Sequence, residues 1–455
     1  MKIKEREEAI SNCYLHSNSL SNKMGNSLLA VRDIDHKYIV VERNIDMMKL
    51  VILGAGLQGN ICCTDLCDKS LSPGEKEIII ADYDFKKAKE VADKFGLKAV
   101  ELDVRDHDKL IEVITGADVV LNCVQYNWNI DIMKACLEVH AHYIDLGGLF
   151  HVTKQQLELD DEFKKAGLTA VLGMGSTPGT MNVMAGYAAS QLDTVDEAKA
   201  ICACGDFTKT DAVFGIPYSL LTVMEEHTME PWILKDGQLQ PVPAGSGREN
   251  IAFSEPIGNA DAWYCIHSEP VQFAKSFKEK GIKNASFKLS LPAGFEERVS
   301  FLADLGFASQ EPVTAGGKEV DPLKTMVSVV NRYLERYDGS NDGELNDCDV
   351  LRAEVTGTKD GVEKEIAVEC VIRTSEKWGF MAGALDTGVP LSIVAQMIYN
   401  GIITERGAFG AEMCVPPIPY FKELAKRQMP VYCVEKTPLS SNDFTQLHRE
   451  MYKPK

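Results

Sequence analysis

LVILGAGLQGN, residues 50–60, is the stretch from which the rest of the chain can be read. Apolar LVIL makes a buried strand, GAG a tight turn, and LQGN the opening of a helix. The glycines fall as GxGxxG in the context that the motif requires. Gly54 permits the turn, Gly56 lets backbone amides approach a pyrophosphate, and Gly59 lets the helix pack closely on the strand. Unpaired amides at the helix start, around Leu57 and Gln58, would then hold the phosphates. A second element follows, because EIIIA (77–81) reads as a buried strand ending at Asp82, 28 positions beyond Gly54 (82 − 54). The usual spacing from the fingerprint is about 20, and the loop LSPGEKE absorbs the excess. A carboxylate at a strand end can accept both hydroxyls of an adenine ribose and would repel a 2′-phosphate. NAD is therefore the expected cofactor, rather than NADP.

Strand and helix signals then alternate: helix 85–95, strand 98–104, helix 107–115, strand 118–124, helix 130–139, strand 143–146, helix 153–166 and strand 169–172. Right-handed crossovers put such a chain into a doubly wound parallel sheet, with ligands at the carboxyl ends of its strands. The expected class is α/β, with a Rossmann domain over residues 48–175. Its rim collects the glycine loop, Asp82, Asp103, the Cys123–Tyr126 turn and residues 145–148. Asp103 could reach the adenine edge or merely cap a turn, and Cys123 and Tyr126 are candidate cofactor contacts.

The sheet's last loop runs GMGSTPGTMN, where Thr177 can cap a helix and Pro178 suits its first position. Exposed Gly179 and Thr180 amides there would make an anion site for a substrate carboxylate, with Asn182 one turn further in, or else the run is simply a well-capped structural helix. From about residue 198 the texture becomes β-rich, and KDG (359–361) reads as a hairpin turn in an antiparallel sheet. Residues 176–385 are read as an inserted α+β substrate and dimerisation domain. Helices such as 322–337 or a second subunit would cover its sheet, so a homodimer is expected. TGVPLSIVAQMIYN (387–400), with a capping Thr and an early Pro, begins a C-terminal segment (386–455) that returns to the nucleotide domain. Residues 1–47 form a mixed, charged extension with the character of a disordered segment.

A length of 455 suggests about three units at roughly 150 residues each, which the motifs reduce to two domains plus the extension. The balance of 48 Lys+Arg against 67 Asp+Glu gives −19, which opposes nucleic acid and anionic membranes and suits a small cationic partner. Thirteen cysteines without a CxxC pair indicate reduced thiols rather than disulfides, and no metal site is expected. The longest charge-free spans are broken by Gly, Pro and Asn, and the N-terminus has no secretory pattern, so a cytoplasmic protein is expected. Hydrolysis and phosphoryl transfer have no visible apparatus, since GxSxG, HExxH and Walker A motifs are absent from the sequence. Hydride transfer needs only an oriented cofactor and one proton acceptor. Tyr126, His151, Asp160 and His267 are the candidates for that proton, and Glu269 is a candidate substrate contact beside His267.

Several runs together resemble the saccharopine dehydrogenase family, in particular its lysine 6-dehydrogenase branch. They are LGAGLQG, IIADYD, VVLNCVQYNWN, YIDLGG followed by HVT, STPGTMNVMAGYAASQLD and ITERGAFGAEMCVP. The resemblance implies a Rossmann domain, an inserted substrate domain and pyridine-nucleotide chemistry at a carbon–nitrogen bond. It maps the fingerprint glycines to Gly54, Gly56 and Gly59, the ribose acid to Asp82, the rim tyrosine to Tyr126 and a reductase acid to Asp160. The expected reaction is NAD-dependent oxidative deamination of L-lysine at its side-chain amine. Reductive condensation of an amine with a carbonyl compound, as in saccharopine or carboxynorspermidine formation, is the alternative reading. A non-catalytic NAD sensor is a third.

Overall fold

The computed structural model describes residues 26–32, 38–44, 47–147, 149–209, 219–292, 294–334 and 345–438. The chain divides into two compact units, residues 1–48 with 74–77 and all the rest. In the smaller, β1 (Asn26–Arg32) and β2 (Tyr38–Asn44) pair antiparallel. The segment read as a disordered extension thus carries a strand pair.

The larger unit contains the parallel sheet that the alternation predicts. Its strands are β3 (Met48–Leu53), β4 (Lys76–Asp82), β5 (Lys98–Glu101), β6 (Val119–Asn122), β7 (His142–Asp145) and β8 (Thr169–Leu172). With β19 (Gly407–Gly410) at one edge, the order is β19-β8-β7-β6-β3-β4-β5. Strand order reverses at β3, which has β6 on one side and β4 on the other, so the ligand crevice opens beside the glycine loop. The intervening helices are α1 (Leu57–Cys67), α2 (Phe85–Phe95), α3 (His107–Ile114), α4 (Asn129–Val139), α5 (Phe150–Gln156) and α6 (Asp160–Ala166). Helix α2 shows why they form: Asp84 caps it by accepting the Lys86 amide, Ala88, Val91 and Ala92 bury one face, and Gly96 at φ 69° ends it. The single helix expected over 153–166 is instead α5 and α6 joined by a 3-10 turn at Leu157–Leu159. That bend seats Leu159 and Phe163 in the core and brings Asp160 against β19.

A mixed nine-stranded sheet follows. It holds β9 (Thr194–Asp206), β10 (Trp232–Lys235), β11 (Gln238–Pro241), β12 (Glu249–Ala252), β13 (Asn259–Tyr264), β14 (Asn284–Ser290), β17 (Asp347–Lys359), β18 (Val362–Arg373) and β20 (Val431–Lys436). A separate short pair is β15 (Val313–Ala315) with β16 (Lys318–Val320). The β17–β18 hairpin turns on Asp360 and Gly361, both at positive φ, as the KDG sequence demands. The sheet is not wholly antiparallel, because β14 runs parallel to β9. The long excursion between them lets the chain return in the same direction. Helices around this sheet are α7 (Thr180–Ser190), α8 (Leu220–Thr228), α9 (Glu269–Ser276), α10 (Phe295–Asp304) and α11 (Pro322–Leu334); residues 335–337 of the expected 322–337 helix lie outside the described residues. No helix among the described residues is long and apolar enough to cross a membrane.

Two helix starts differ from expectation. Helix α7 begins at Thr180 with Gly179 as its N-cap, not at Thr177–Pro178, because the chain first folds back so that Gly179 touches Gly175 backbone to backbone. Helix α12 (Ala382–Tyr399) starts five residues before Thr387 and carries Pro390 in its interior. Burial along the helix overrides the proline penalty of about 3 kcal/mol. Gly388 makes that burial possible, since a Cβ there would come within 2.7 Å of Ile61 in α1. After α13 (Ala411–Cys414) and α14 (Pro417–Lys426), Arg427 inserts beneath the glycine-loop helix. Its guanidinium meets both Asp65 carboxylate oxygens at 2.6 and 3.0 Å, with both side chains essentially inaccessible, and Ser392 also donates to Asp65. Breaking one half of a buried ion pair strands the other charge. Asp65→Ala should lower the unfolding free energy by about 3–5 kcal/mol in urea denaturation; a loss below about 1 kcal/mol would contradict this role.

Candidate active site

The glycine loop has the shape that a dinucleotide requires. Gly54 sits at φ 97° with the Cys123 carbonyl against its Cα face, and a Cβ on Gly59 would overlap the Gly54 carbonyl oxygen. Gly56 is different: it is exposed, and a Cβ there would meet nothing within 4 Å. It is the N-cap of α1, and no side chain caps that helix, so the first amides, starting at Leu57, have no side-chain acceptor. A depression of about 410 Å3 lies over this end, lined by Ala55, Gly56, Leu57, Asn60, Lys87 and Lys94 among others. The Asn60 side-chain oxygen is buried beside it without a partner among the described residues, while the Gln58 oxygen, also unpartnered there, faces Gly388 of α12. The cradle fits a pyrophosphate. Asp82, half-buried at the end of β4, accepts the Ala55 amide at 2.7 Å and the Asp84 amide at 2.9 Å. It thereby ties the glycine loop to the next turn, with exposed Tyr83 beside it.

Asp103 is engaged within its own turn. Arg105 holds it through its backbone amide and guanidinium, and that ion pair keeps the carboxyl at about 2, below the usual carboxylate range. Cys123 turns its thiol toward Cys62. The rest of the rim is fixed from below by Asp145, which is fully buried. One of its oxygens accepts the Gly147 and Gly173 amides at 2.8 and 2.6 Å, and the other accepts the Tyr143 hydroxyl and the Gln156 amide at 2.9 and 2.5 Å. Asn122 joins this network through Tyr143 and Asn129, while its own oxygen takes the Val124 amide. Four donors thus satisfy a buried carboxylate and hold three rim loops in register. Gly148, also expected on this rim, lies outside the described residues.

Of the proton candidates, the structure brings two pairs together. Tyr126 and His151 meet edge to face at 6.5 Å between ring centres. Phe150 extends the wall by packing on His151 and on Trp232 of β10. Burial, and then the charge of Glu225, holds the Tyr126 phenol above its ordinary range. The second pair is His267 with Glu269, whose Nδ1 and Oε2 lie 2.7 Å apart. Asp160 stands apart, its carboxylate accepting the Ala408 amide on the edge strand at 3.0 Å, which makes it a support for β19. Glu225 and Glu226, on α8 between the two pairs, carry no motif, and only the fold places them there.

The substrate-anion reading of the 175–182 loop is corrected. The Gly179 amide donates to Asn182 at 3.0 Å and the Thr180 amide to the Gly175 carbonyl at 2.9 Å, so neither is available to an anion. Thr180 pairs with the Tyr420 hydroxyl, and Asn182 donates to Gln272 and Glu412. Thr177 remains half-exposed, as does Ser176. Next to this loop Ser176 donates to Asp386 at 3.0 Å, which faces Asp349 of β17. Burial first, then the Asp347 charge, pushes Asp349 up to about 7, and burial with the Asp349 charge raises Asp386 likewise. Among the described residues no group of three or more His, Cys, Asp or Glu could hold a metal ion.

Two measurements check this geometry. Gly56→Val should fold normally yet weaken dinucleotide binding at least tenfold in calorimetric titration, whereas Gly59→Ala should cost about 1–3 kcal/mol of stability; unchanged affinity in the first would make the turn purely structural. For Asp349 the folded value lies above the unfolded one near 3.9, so its contribution is complete at acid pH and is lost as pH rises through about 7. Melting temperature should therefore fall between about pH 4 and pH 7, and Asp349→Asn should flatten the fall; an equal slope in both proteins contradicts the burial argument.

Known proteins supply an independent comparison. Residues 50–171 match the saccharopine dehydrogenase NADP binding domain model, and residues 175–429 match that of the saccharopine dehydrogenase C-terminal domain. Carboxyaminopropylagmatine dehydrogenase of Synechocystis is 25% identical over 426 residues, covering 87% of this chain and all of that one. Carboxynorspermidine synthase of Vibrio cholerae is 24% identical over 389 residues, 80% of this chain and 90% of its own. Among solved structures, apo saccharopine dehydrogenase (L-Glu forming) of Saccharomyces cerevisiae superposes with a TM-score of 0.64 at 18% identity, covering 86% of this chain and all of the other. Homospermidine synthase of Legionella pneumophila does so at 0.59 and 12% identity, covering 87% and 93%. The two matched segments carry the glycine loop, the Asp145 network and the mixed sheet, and the chain belongs to the saccharopine dehydrogenase family, a pyridine-nucleotide oxidoreductase family.

Proposed function

We propose that this protein joins a cationic amine to a carbonyl compound by NADH-linked reduction, or runs the same reaction in the oxidative direction. The observation that carries the reading is a cluster of aromatic rings with a carboxylate beside it, built on the turns that follow the parallel strands. Tyr126, Phe150, His151 and Trp232 provide the wall, with Glu225 close enough to raise the Tyr126 phenol. Carboxylates beside aromatic faces favour an ammonium group over an anion. The names of the two bacterial relatives that match along most of their length, carboxyaminopropylagmatine dehydrogenase and carboxynorspermidine synthase, both denote amines that bear a carboxyl-containing group. Lysine deamination loses ground, because Gly179, Thr180 and Asn182, expected to hold its carboxylate, spend their hydrogen bonds within the fold.

When bound, the nicotinamide exchanges a hydride with the carbon of the carbon–nitrogen bond. The chain's own contribution is to orient that carbon over the rim, exclude water and hold one proton at the nitrogen. Glu225 and its neighbours lower the energy of the approaching ammonium, while the rim loops keep the ring and the amine in register. Asp82 supports NAD over NADP, since a carboxylate at this strand end would repel a 2′-phosphate.

Purified protein should oxidise NADH only when an amine, such as a diamine, and a 2-oxo acid or semialdehyde are both present. NAD reduction by lysine alone at alkaline pH, with no activity on any amine and carbonyl pair, would favour deamination instead. Asp82→Ala should reduce NAD selectivity over NADP by about tenfold or more, on the order of 1.4 kcal/mol; an unchanged ratio removes Asp82 from the ribose.

A further inference from the structure

We infer that His267 carries the proton of the carbon–nitrogen reaction and that Glu269, buried behind it, is the positioning residue that holds its charge. The inference rests on the proposed function and narrows it to one acid–base pair. His267 ends the loop before α9, and α9 docks on the carboxyl end of β8 through Gln272, whose side-chain amide donates to the Leu172 carbonyl at 3.2 Å. The imidazole therefore stands on the rim side of the parallel sheet. Its Nδ1 contacts Glu269 Oε2 at 2.7 Å, and its face stacks on Phe287 at 3.9 Å between ring centres. The ring is fixed in position. Its side chain keeps 14% exposure against 0% for Glu269, and Nε2 has no hydrogen-bond partner among the described residues.

The second observation is an orphan. Glu269 Oε1 is fully buried with no partner among the described residues, an arrangement that is costly unless a counter-charge appears beside the carboxylate. A protonated His267 supplies that charge. Burial alone would lower the imidazole's affinity for a proton, yet the charge and hydrogen bond of Glu269, with Glu226 further off, carry it above the ordinary histidine value. The other titratable groups facing this cluster are the Cys265 thiol, pushed up by burial, and Glu412 beyond Glu269, also raised by burial. The rival candidates lack these properties. The Tyr126 phenol is held protonated, the Asp160 carboxylate is engaged by β19, and His151 is exposed with no carboxylate orienting it among the described residues.

In the oxidative direction the N–H bond of the substrate ammonium breaks, its electron pair stays on nitrogen and the proton passes to Nε2 of His267. In the reductive direction Nε2 returns that proton to the amine nitrogen. Glu269 accepts a hydrogen bond from Nδ1–H throughout and so fixes the tautomer.

The test combines rates across pH with NMR titration of the His267 imidazole in the full-length protein. His267→Asn should lower kcat by about 10²- to 10⁴-fold with dinucleotide affinity unchanged. Glu269→Gln should move both the pH midpoint of the rate and the imidazole titration to lower pH, with Glu226→Gln, the milder variant, moving them less. Wild-type His267 should itself titrate above 6.5. Retention of kcat within about threefold in His267→Asn, or a midpoint unmoved in Glu269→Gln, would overturn the assignment. A wild-type protein inactive on every amine and carbonyl pair would overturn the proposed function instead, and the NMR titration would still decide whether Glu269 controls His267.

Discussion

The Asp145 carboxylate is the constraint on which the site depends. Removing a carboxylate from water is expensive, and here burial raises it above its ordinary range while four hydrogen bonds pull it back. Those donors come from the turn after β7, the loop after β8, the core of β7 itself and the end of α5. A single buried acceptor therefore sets the spacing between the Tyr126 turn, the His151 helix and the loop that leads into the second sheet. The Asp65–Arg427 pair does the equivalent for the glycine-loop helix, from the opposite end of the chain.

The parts of this design that a reader of the sequence can see are those whose signal is local. The glycine spacing, the strand end at Asp82, the βα alternation and the Asp360-Gly361 turn each need only a few consecutive residues. The misreadings arise where tertiary contact overrides local preference. Thr177 and Pro178 look like a helix start, but backbone contact between Gly175 and Gly179 delays the helix. Pro390 looks like an early helical residue, but packing of Gly388 on Ile61 extends the helix upstream of it. Glu225 and Glu226 were invisible for a different reason: nothing in MEEHTME announces a site, and only the fold brings α8 against Tyr126 and His267. His267 and Glu269 were legible as residues yet not as a pair with an unpartnered oxygen.

Net charge gains meaning in the same way. A total of −19 excludes polyanionic partners but locates nothing. The structure gathers Glu225, Glu226, Glu269, Asp349 and Asp386 near the junction of the two sheets, where burial raises the Glu225, Asp349 and Asp386 carboxyls. Carboxyls in such surroundings are best satisfied by a cation. That is the physical link between the acidic composition and an amine substrate.

The most direct measurement follows an isotope. With NADH deuterated at the transferring C4 position, an amine and a carbonyl compound, mass spectrometry of the condensation product should find one deuterium on the carbon of the new carbon–nitrogen bond. Product formed without deuterium, or cofactor oxidised with no carbon–nitrogen bond made, would contradict the account.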